Sequence, residues 1–216
     1  MLKQRWSKIL VFVASLAPIF WLCWRAWNQN LTANPIEFIT RYTGDWTIRF
    51  IVITLAVTPL RKVLGLPDLI RVRRMVGLYA FFYGTLHFVT YLWLDKFFDF
   101  PDMLKDVAKR PFITAGFTAF LLMVPLALTS TAGWIRRIGG KRWQLLHWLV
   151  YFSGIAGVVH YYWLVKSDIR LPAMYGAMLG ALLVYRAVAR ALKRNRGAVP
   201  KRPVTAISTG ALRDSP

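Results

Sequence analysis

Residues 143–165 read WQLLHWLVYFSGIAGVVHYYWLV, an apolar run that carries two of the chain's three histidines, His147 and His160. The third, His87, lies in another apolar run, MVGLYAFFYGTLHFVTYLWL at 75–94. Apolar runs of about 18 residues or more are long enough to cross a bilayer as helices. Six such runs stand out, at roughly 8–27, 46–64, 75–94, 112–130, 143–165 and 172–192. In hydrocarbon every backbone polar group must be bonded internally, so each run predicts a helix. The expected fold is therefore all-α: a polytopic membrane helix bundle with six transmembrane helices over residues 1–192. A basic tail over 193–216, interrupted by prolines, is expected to be disordered.

The net charge of +20 and the mean hydropathy of +0.42 must be read together. The basic clusters Arg71-Val72-Arg73-Arg74, Arg136-Arg137 and Lys141-Arg142 fall between runs on the side of the N-terminus, as do the residues from Arg186 onward. Most acids fall on the other side. The positive-inside rule then places both termini in the cytoplasm, and this distribution excludes a nucleic-acid partner. Trp21, Trp24, Trp27, Trp46, Trp93 and Trp163 mark the outer ends of runs, and Trp6, Trp134 and Trp143 the inner ends. Anionic lipid is the expected contact of the basic tail. The single cysteine, Cys23, allows neither an internal disulfide nor a cysteine metal cluster, and without CxxCH a covalently attached haem is excluded. Ala14-Ser15-Leu16-Ala17 looks like a cleavage site, but Pro18 follows and the preceding apolar run is short, so the first run is expected to be a retained anchor.

Between the runs, 28–45 has room for a short interfacial helix. Thr58-Pro59-Leu60 is expected to end or bend the second run, and Pro125 to kink the fourth. The loop 95–111, DKFFDFPDMLKDVAKRP, is amphipathic and predicts an interfacial segment facing outward. Gly176 and Gly180 form a GxxxG, which permits close helix approach. No internal repeat and no soluble domain is evident.

Ionisable residues inside membrane spans are functional candidates, with interhelical hydrogen bonding as the plainer alternative. His87 and His160 both fall about 8–10 Å inside the outer edge at 1.5 Å per residue. Two histidines at one depth on different helices suit the two axial positions of a b-type haem. Gly84, Gly154, Ala156 and Gly157 would leave room for a flat macrocycle, or simply serve helix packing. His147 lies about 20 Å deeper and about 140° around an ideal helix from His160. The residue at the matching inner depth on the His87 run is Arg73, which does not ligate haem iron. One haem held by His87 and His160 is therefore expected, with His147 and Arg73 as an inner site for a quinone or an anionic cofactor. Arg49 is read as a snorkelling flank residue in preference to a haem-propionate partner.

The segments LIRVRRMVGLYAFFYGTLHFVTY, KRPFITAGFTAFLLMVPLALTST and GKRWQLLHWLVYFSGIAGVVHYYW resemble the MsrQ (YedZ) family, within the ferric-reductase-like transmembrane group. The resemblance covers all six runs and omits the tail. It implies an electron-transfer membrane subunit in the bacterial inner membrane. Such a subunit takes electrons from the quinone pool through haem b to a periplasmic molybdenum enzyme, MsrP, which repairs oxidised methionine. It also implies flavin mononucleotide. His87, His147 and His160 are the positions that carry over. No GxGxxG occurs, so a pyridine nucleotide is not expected to bind this chain in the usual way. The competing expectations are a stand-alone ferric or quinone reductase and a haem-free proton or ion transporter using the same histidines.

Overall fold

The structure, a computed structural model, describes residues 2–165 and 167–197, and all regular elements among them are helical. Helix α1 spans Leu2–Trp27 and α2 Pro35–Val63. A short turn at Pro67–Leu69 leads into α3, Ile70–Thr90. After a wide turn at Tyr91–Asp95 come α4, Phe100–Lys109, and α5, Pro111–Leu128. Then follow α6, Ala132–Ile138, α7, Gly140–Leu146, α8, Leu149–Leu164, and α9, Arg170–Gly197. Four helical stretches are apolar and long enough to cross a membrane: Trp6–Trp27, Pro67–Asp95, Pro111–Leu128 and Arg170–Arg194. Helix α2 carries charges along its first half, and α8 has only 16 residues.

The bundle is built from two antiparallel hairpins, α2 with α3 and α5 with α8, which pack on each other and on α9. Its core is aromatic. Phe50 of α2 stacks on Tyr83 and Tyr79 of α3 at 5.2 and 5.8 Å between ring centres, and Trp46 lies 5.6 Å from Phe50. Trp46 is thus packed against the core, not part of an aromatic belt. Trp24, Trp27, Trp93 and Trp163 are exposed, as the belt requires.

Three tyrosine hydroxyls fasten α1. Tyr83 donates to the Ser15 carbonyl at 2.9 Å and accepts from Ile19 N–H at 3.2 Å, while Tyr42 and Tyr79 donate to the carbonyls of Pro18 and Phe12. The Tyr83 hydroxyl thereby replaces the Ser15–Ile19 helical bond beside Pro18, where the proline ring crowds the preceding turn.

Several sequence expectations are corrected here. The segment after Asn34 is no separate interfacial helix. Asn34 caps α2 through Glu37 N–H, Pro35 sits in its first turn, and the helix runs on without a break. Pro59 does not end that helix, which continues to Val63. The run 143–165 is not one helix. Bonds of the i→i−3 type, Trp148 to Leu145 and Tyr151 to Trp148, tighten the chain at His147 and divide it into α7 and α8. In the GxxxG, only Gly176 faces a neighbour, with a Cβ there 3.4 Å from Val158, whereas Gly180 is open. The expected tail begins inside α9, and everything after Gly197 lies outside the described residues.

The segment 95–111 folds into the short helix α4. Asp99 caps it, and the aromatic residues Phe97 and Phe98 before it adopt positive φ of 48° and 63°. Lys96 ties it down through Asp102 and Asp106, each at 2.6 Å, and Arg110 adds a 3.2 Å contact to Asp106. Hydrogen bonding to Asp102 and Asp106 holds the Lys96 ammonium above the usual lysine range, and the same lysine holds the Asp102 carboxyl below its ordinary value.

Candidate functional site

Helix α3 brings His87, and α8 brings His160, to one level near the C-terminal ends of their helices. Their ring centres are 6.0 Å apart, with planes at 72°. Each imidazole is fixed by a backbone carbonyl from the partner helix of its own hairpin. Nδ1 of His87 lies 2.8 Å from the Thr40 carbonyl of α2, and Nδ1 of His160 lies 2.6 Å from the Phe112 carbonyl of α5. A carbonyl only accepts, so Nδ1 carries the proton in both rings and Nε2 is left as the lone-pair nitrogen. Metal-ligating histidines are oriented in this way.

The carbonyls are reachable because a glycine follows one turn later. A Cβ on Gly44 would meet His87 Nδ1 and Cε1 at 3.1 Å. One on Gly116 would meet His160 Nδ1 at 2.7 Å and Cε1 at 2.9 Å. The hairpins therefore use the same device twice: Thr40-xxx-Gly44 receives His87, and Phe112-xxx-Gly116 receives His160. A second glycine precedes each histidine, in Gly84-Thr85-Leu86-His87 and Gly157-Val158-Val159-His160. The histidine and its carbonyl are 47 residues apart in the first hairpin and 48 in the second. This is a structural repeat that the sequence reading missed, because only a few widely spaced residues carry it.

Between the histidines runs a narrow cleft. Gly44, Gly84, Gly116 and Gly157 line it, with Ile48, Ile51, Ala119, Phe120 and Met123 as apolar walls. Arg41, Asp45 and Tyr161 also line it. Of the small residues expected to make room, Gly84 and Gly157 face this cleft. Gly154 instead packs on Ile51 and Leu179, and Ala156 lines a groove elsewhere on α5 and α8. Arg49 is not among the cleft residues. Its Nε donates to the Tyr175 hydroxyl at 2.9 Å, with Asp45 at 3.8 Å and the Trp46 ring 4.8 Å away. Arg49 is thus tied into the bundle, neither snorkelling freely nor aimed at the cleft, and Arg41 is the cation the sequence reading overlooked there.

His147 sits at the other end of the bundle, at the break between α7 and α8. Its Nδ1 is 3.0 Å from the Trp143 carbonyl, its ring lies 3.8 Å from that of Trp143, and its Nε2 is buried without a hydrogen-bond partner. Arg73 is within electrostatic reach of it. The structure thus brings His87 and His160 together and leaves His147 apart from them, against Trp143. Among the described residues, no group of three or more His, Cys, Asp or Glu side chains forms a metal-ion site. Two opposed imidazoles in a glycine-lined slot instead fit a metal whose remaining ligands come from a flat macrocycle.

This arrangement defines a class of membrane helix bundle in which paired hairpins oppose two histidines. Residues 43–158 match the family described as the ferric reductase like transmembrane component. A relative from Herminiimonas arsenicoxydans is 54% identical over 181 residues, covering 83% of this chain and 83% of that protein. One from Azospira oryzae is 53% identical over 85% of this chain and 79% of its own length. One from Bordetella parapertussis is 49% identical over 88% of this chain and 92% of its own length. All three are named protein-methionine-sulfoxide reductase heme-binding subunit MsrQ. No solved structure matches this chain. The chain belongs to the MsrQ family of membrane proteins, within the ferric-reductase-like transmembrane group.

Proposed function

We propose that this protein is a haem b electron-transfer subunit serving methionine sulfoxide reduction, in which His87 and His160 would hold the haem iron. The carrying observation is the 6.0 Å between their ring centres, with both Nδ1 atoms held by carbonyls. Two imidazoles sharing one metal through Nε2, at about 2 Å each, place their ring centres about 6 Å apart. Bound there, haem supplies reversible one-electron transfer. The residues present supply the rest. Thr40 and Phe112 fix the ring orientations, the four glycines keep the slot open, and Arg41 offers a positive charge to the propionates.

The helices cross the bacterial inner membrane six times in this reading, with both termini cytoplasmic. Electrons arrive from quinol at the inner end, where His147 Nε2 and the Arg73 guanidinium present an acceptor and a donor to a quinone ring. They leave at the outer end toward a periplasmic molybdenum-containing partner, MsrP. The names of the relatives support the methionine sulfoxide role, and the charge distribution supports the orientation. We assign no residues to flavin mononucleotide.

The test is optical. His87→Ala and His160→Ala should each abolish the reduced b-type spectrum of the purified protein. His147→Ala should retain most of it but slow reduction by quinol at least tenfold. Equal haem loss in all three variants would refute the division of roles, and a colourless wild-type preparation made with ample haem would refute the haem reading. Quinol-dependent reduction of the molybdenum partner tests the direction of flow.

A further inference from the structure

Arginines converge on Tyr151 at the inner end of the bundle. Arg186 of α9 donates to the Tyr151 hydroxyl at 2.7 Å and to the Leu55 carbonyl at 2.5 Å, yet its Nε is buried without a partner. Arg190, one turn on, lies over the Trp148 ring at 4.8 Å with an NH2 group 3.5 Å from the same hydroxyl. Arg73 enters from α3, within electrostatic reach of Arg186, Arg61 and Tyr151. Among the described residues the ion pairs formed by arginine involve Arg41, Arg49, Arg71, Arg110 and Arg170, so this inner group has no carboxylate.

Such a cluster is costly on its own. Like charges repel most where water is scarce, and Arg73 and Arg186 are both partly buried. An anion offsets that repulsion, and the guanidinium fork matches phosphate in a two-point contact. Basic pockets between helices on the cytoplasmic side of a membrane are placed to take acidic head groups. Trp148, half-exposed beneath Arg190, offers an aromatic surface at the same level.

We propose that Arg186 and Arg190, which meet at the Tyr151 hydroxyl, form a phosphate-binding site that holds the head group of an anionic phospholipid from the leaflet at the inner end. The lipid neutralises the cluster and locks α9 against α8. This inference does not depend on haem binding at His87 and His160.

The full-length protein is stripped of lipid in detergent and placed in nanodiscs of phosphatidylcholine alone, or with phosphatidylglycerol added. Native mass spectrometry counts retained lipid, and thermal unfolding gives the midpoint. Wild type should retain phosphatidylglycerol preferentially and melt a few degrees higher in the mixed discs. Arg186→Gln should weaken retention about tenfold and erase the thermal gain. Arg190→Gln alters only an exposed side chain, so it keeps the fold and should weaken retention severalfold. The haem-to-protein ratio should be unchanged in both variants. Equal retention of the two lipids by wild type overturns the proposal. So does inorganic phosphate reproducing the thermal gain in phosphatidylcholine discs, which would make the site one for a free phosphate. Loss of haem from Arg190→Gln overturns it too, because the cluster would then hold macrocycle carboxylates.

Discussion

Replacing Gly116 by Ala sets two effects of opposite sign against each other. On helix propensity alone, Gly→Ala inside a helix stabilises by about 1 kcal/mol. At Gly116, however, the new methyl lies 2.7 Å from His160 Nδ1, 2.9 Å from Cε1 and 3.0 Å from Cγ. Carbon and nitrogen make favourable contact only near 3.5 Å or beyond, so the ring must retreat by about half an ångström or more. That retreat stretches the 2.6 Å bond to the Phe112 carbonyl to about 3.1–3.4 Å, at or past the limit of a good hydrogen bond, because helix backbone cannot follow the ring. Loss of one neutral hydrogen bond costs about 1 kcal/mol, which cancels the propensity gain. The apoprotein should therefore melt within a degree or two of wild type. Loss of a partner that orients a metal ligand typically weakens affinity 10- to 100-fold, so haem retention should fall by about that factor. Gly44→Ala should show the same defect more mildly, because its Cβ contacts with His87 are longer, at 3.1 Å. Gly180→Ala, with nothing within 4 Å, should only stabilise. Haem titration by absorbance with a parallel thermal melt measures both quantities. A Gly116→Ala protein with full haem affinity and an unaltered spectrum would refute the glycine-seat argument.

Tyr83→Phe leaves the Ser15 carbonyl and Ile19 N–H without their bridge, so it should cost about 1–3 kcal/mol in denaturant unfolding while haem content holds. Arg41→Gln should lower the haem midpoint potential by a few tens of millivolts in a redox titration, because removing a nearby cation favours the oxidised iron. Arg49→Gln should leave that potential within error and instead reduce stability by about 1 kcal/mol through the lost Tyr175 bond. The α4 clasp should depend on pH at both extremes. Asp102 is held below its unfolded value, so its contribution is present above that value and lost as pH falls through the folded one. Lys96 is held above its unfolded value, so its contribution is complete below that value and lost as pH rises through the folded one. Protection of α4 amides relative to their intrinsic exchange rates should be high and flat across neutral pH and fall at both ends. Undiminished protection at acid pH would show that the clasp does not hold the helix.

The histidine pairing was legible in the sequence because depth along a helix follows directly from residue count, and His87 and His160 count to the same level. The helix break at His147 was not legible. WQLLHWLVY contains no proline or glycine, and the tightened turn shows only in the backbone bonds around Trp148. Pro59 misled in the other direction, since a proline near the end of a long helix loses one bond that its packed neighbours tolerate. Arg49 and Arg41, two turns apart on α2, look alike in sequence. Which of them lines the cleft depends on Tyr175 of a distant helix capturing Arg49.

The repeated hairpin explains why the two ends of the bundle differ. At the end that carries His87 and His160 both hairpins place the same set, a carbonyl, a glycine one turn later and a Gly-x-x-His, so the cleft is closed by like groups from two sides. At the opposite end the repeat is broken, because one hairpin offers His147 and the other Arg73, within electrostatic reach of each other. A matched pair of imidazoles suits a symmetric ligand held axially. An imidazole opposite a guanidinium suits a polar or anionic molecule that comes and goes. Exchanging Arg73 for His tests this view directly. If the inner end differs only in that residue, Arg73→His should add a second haem per protein by pyridine haemochrome assay. An unchanged haem count with normal folding would mean that the break at His147 has already removed the symmetry, whatever residue stands opposite.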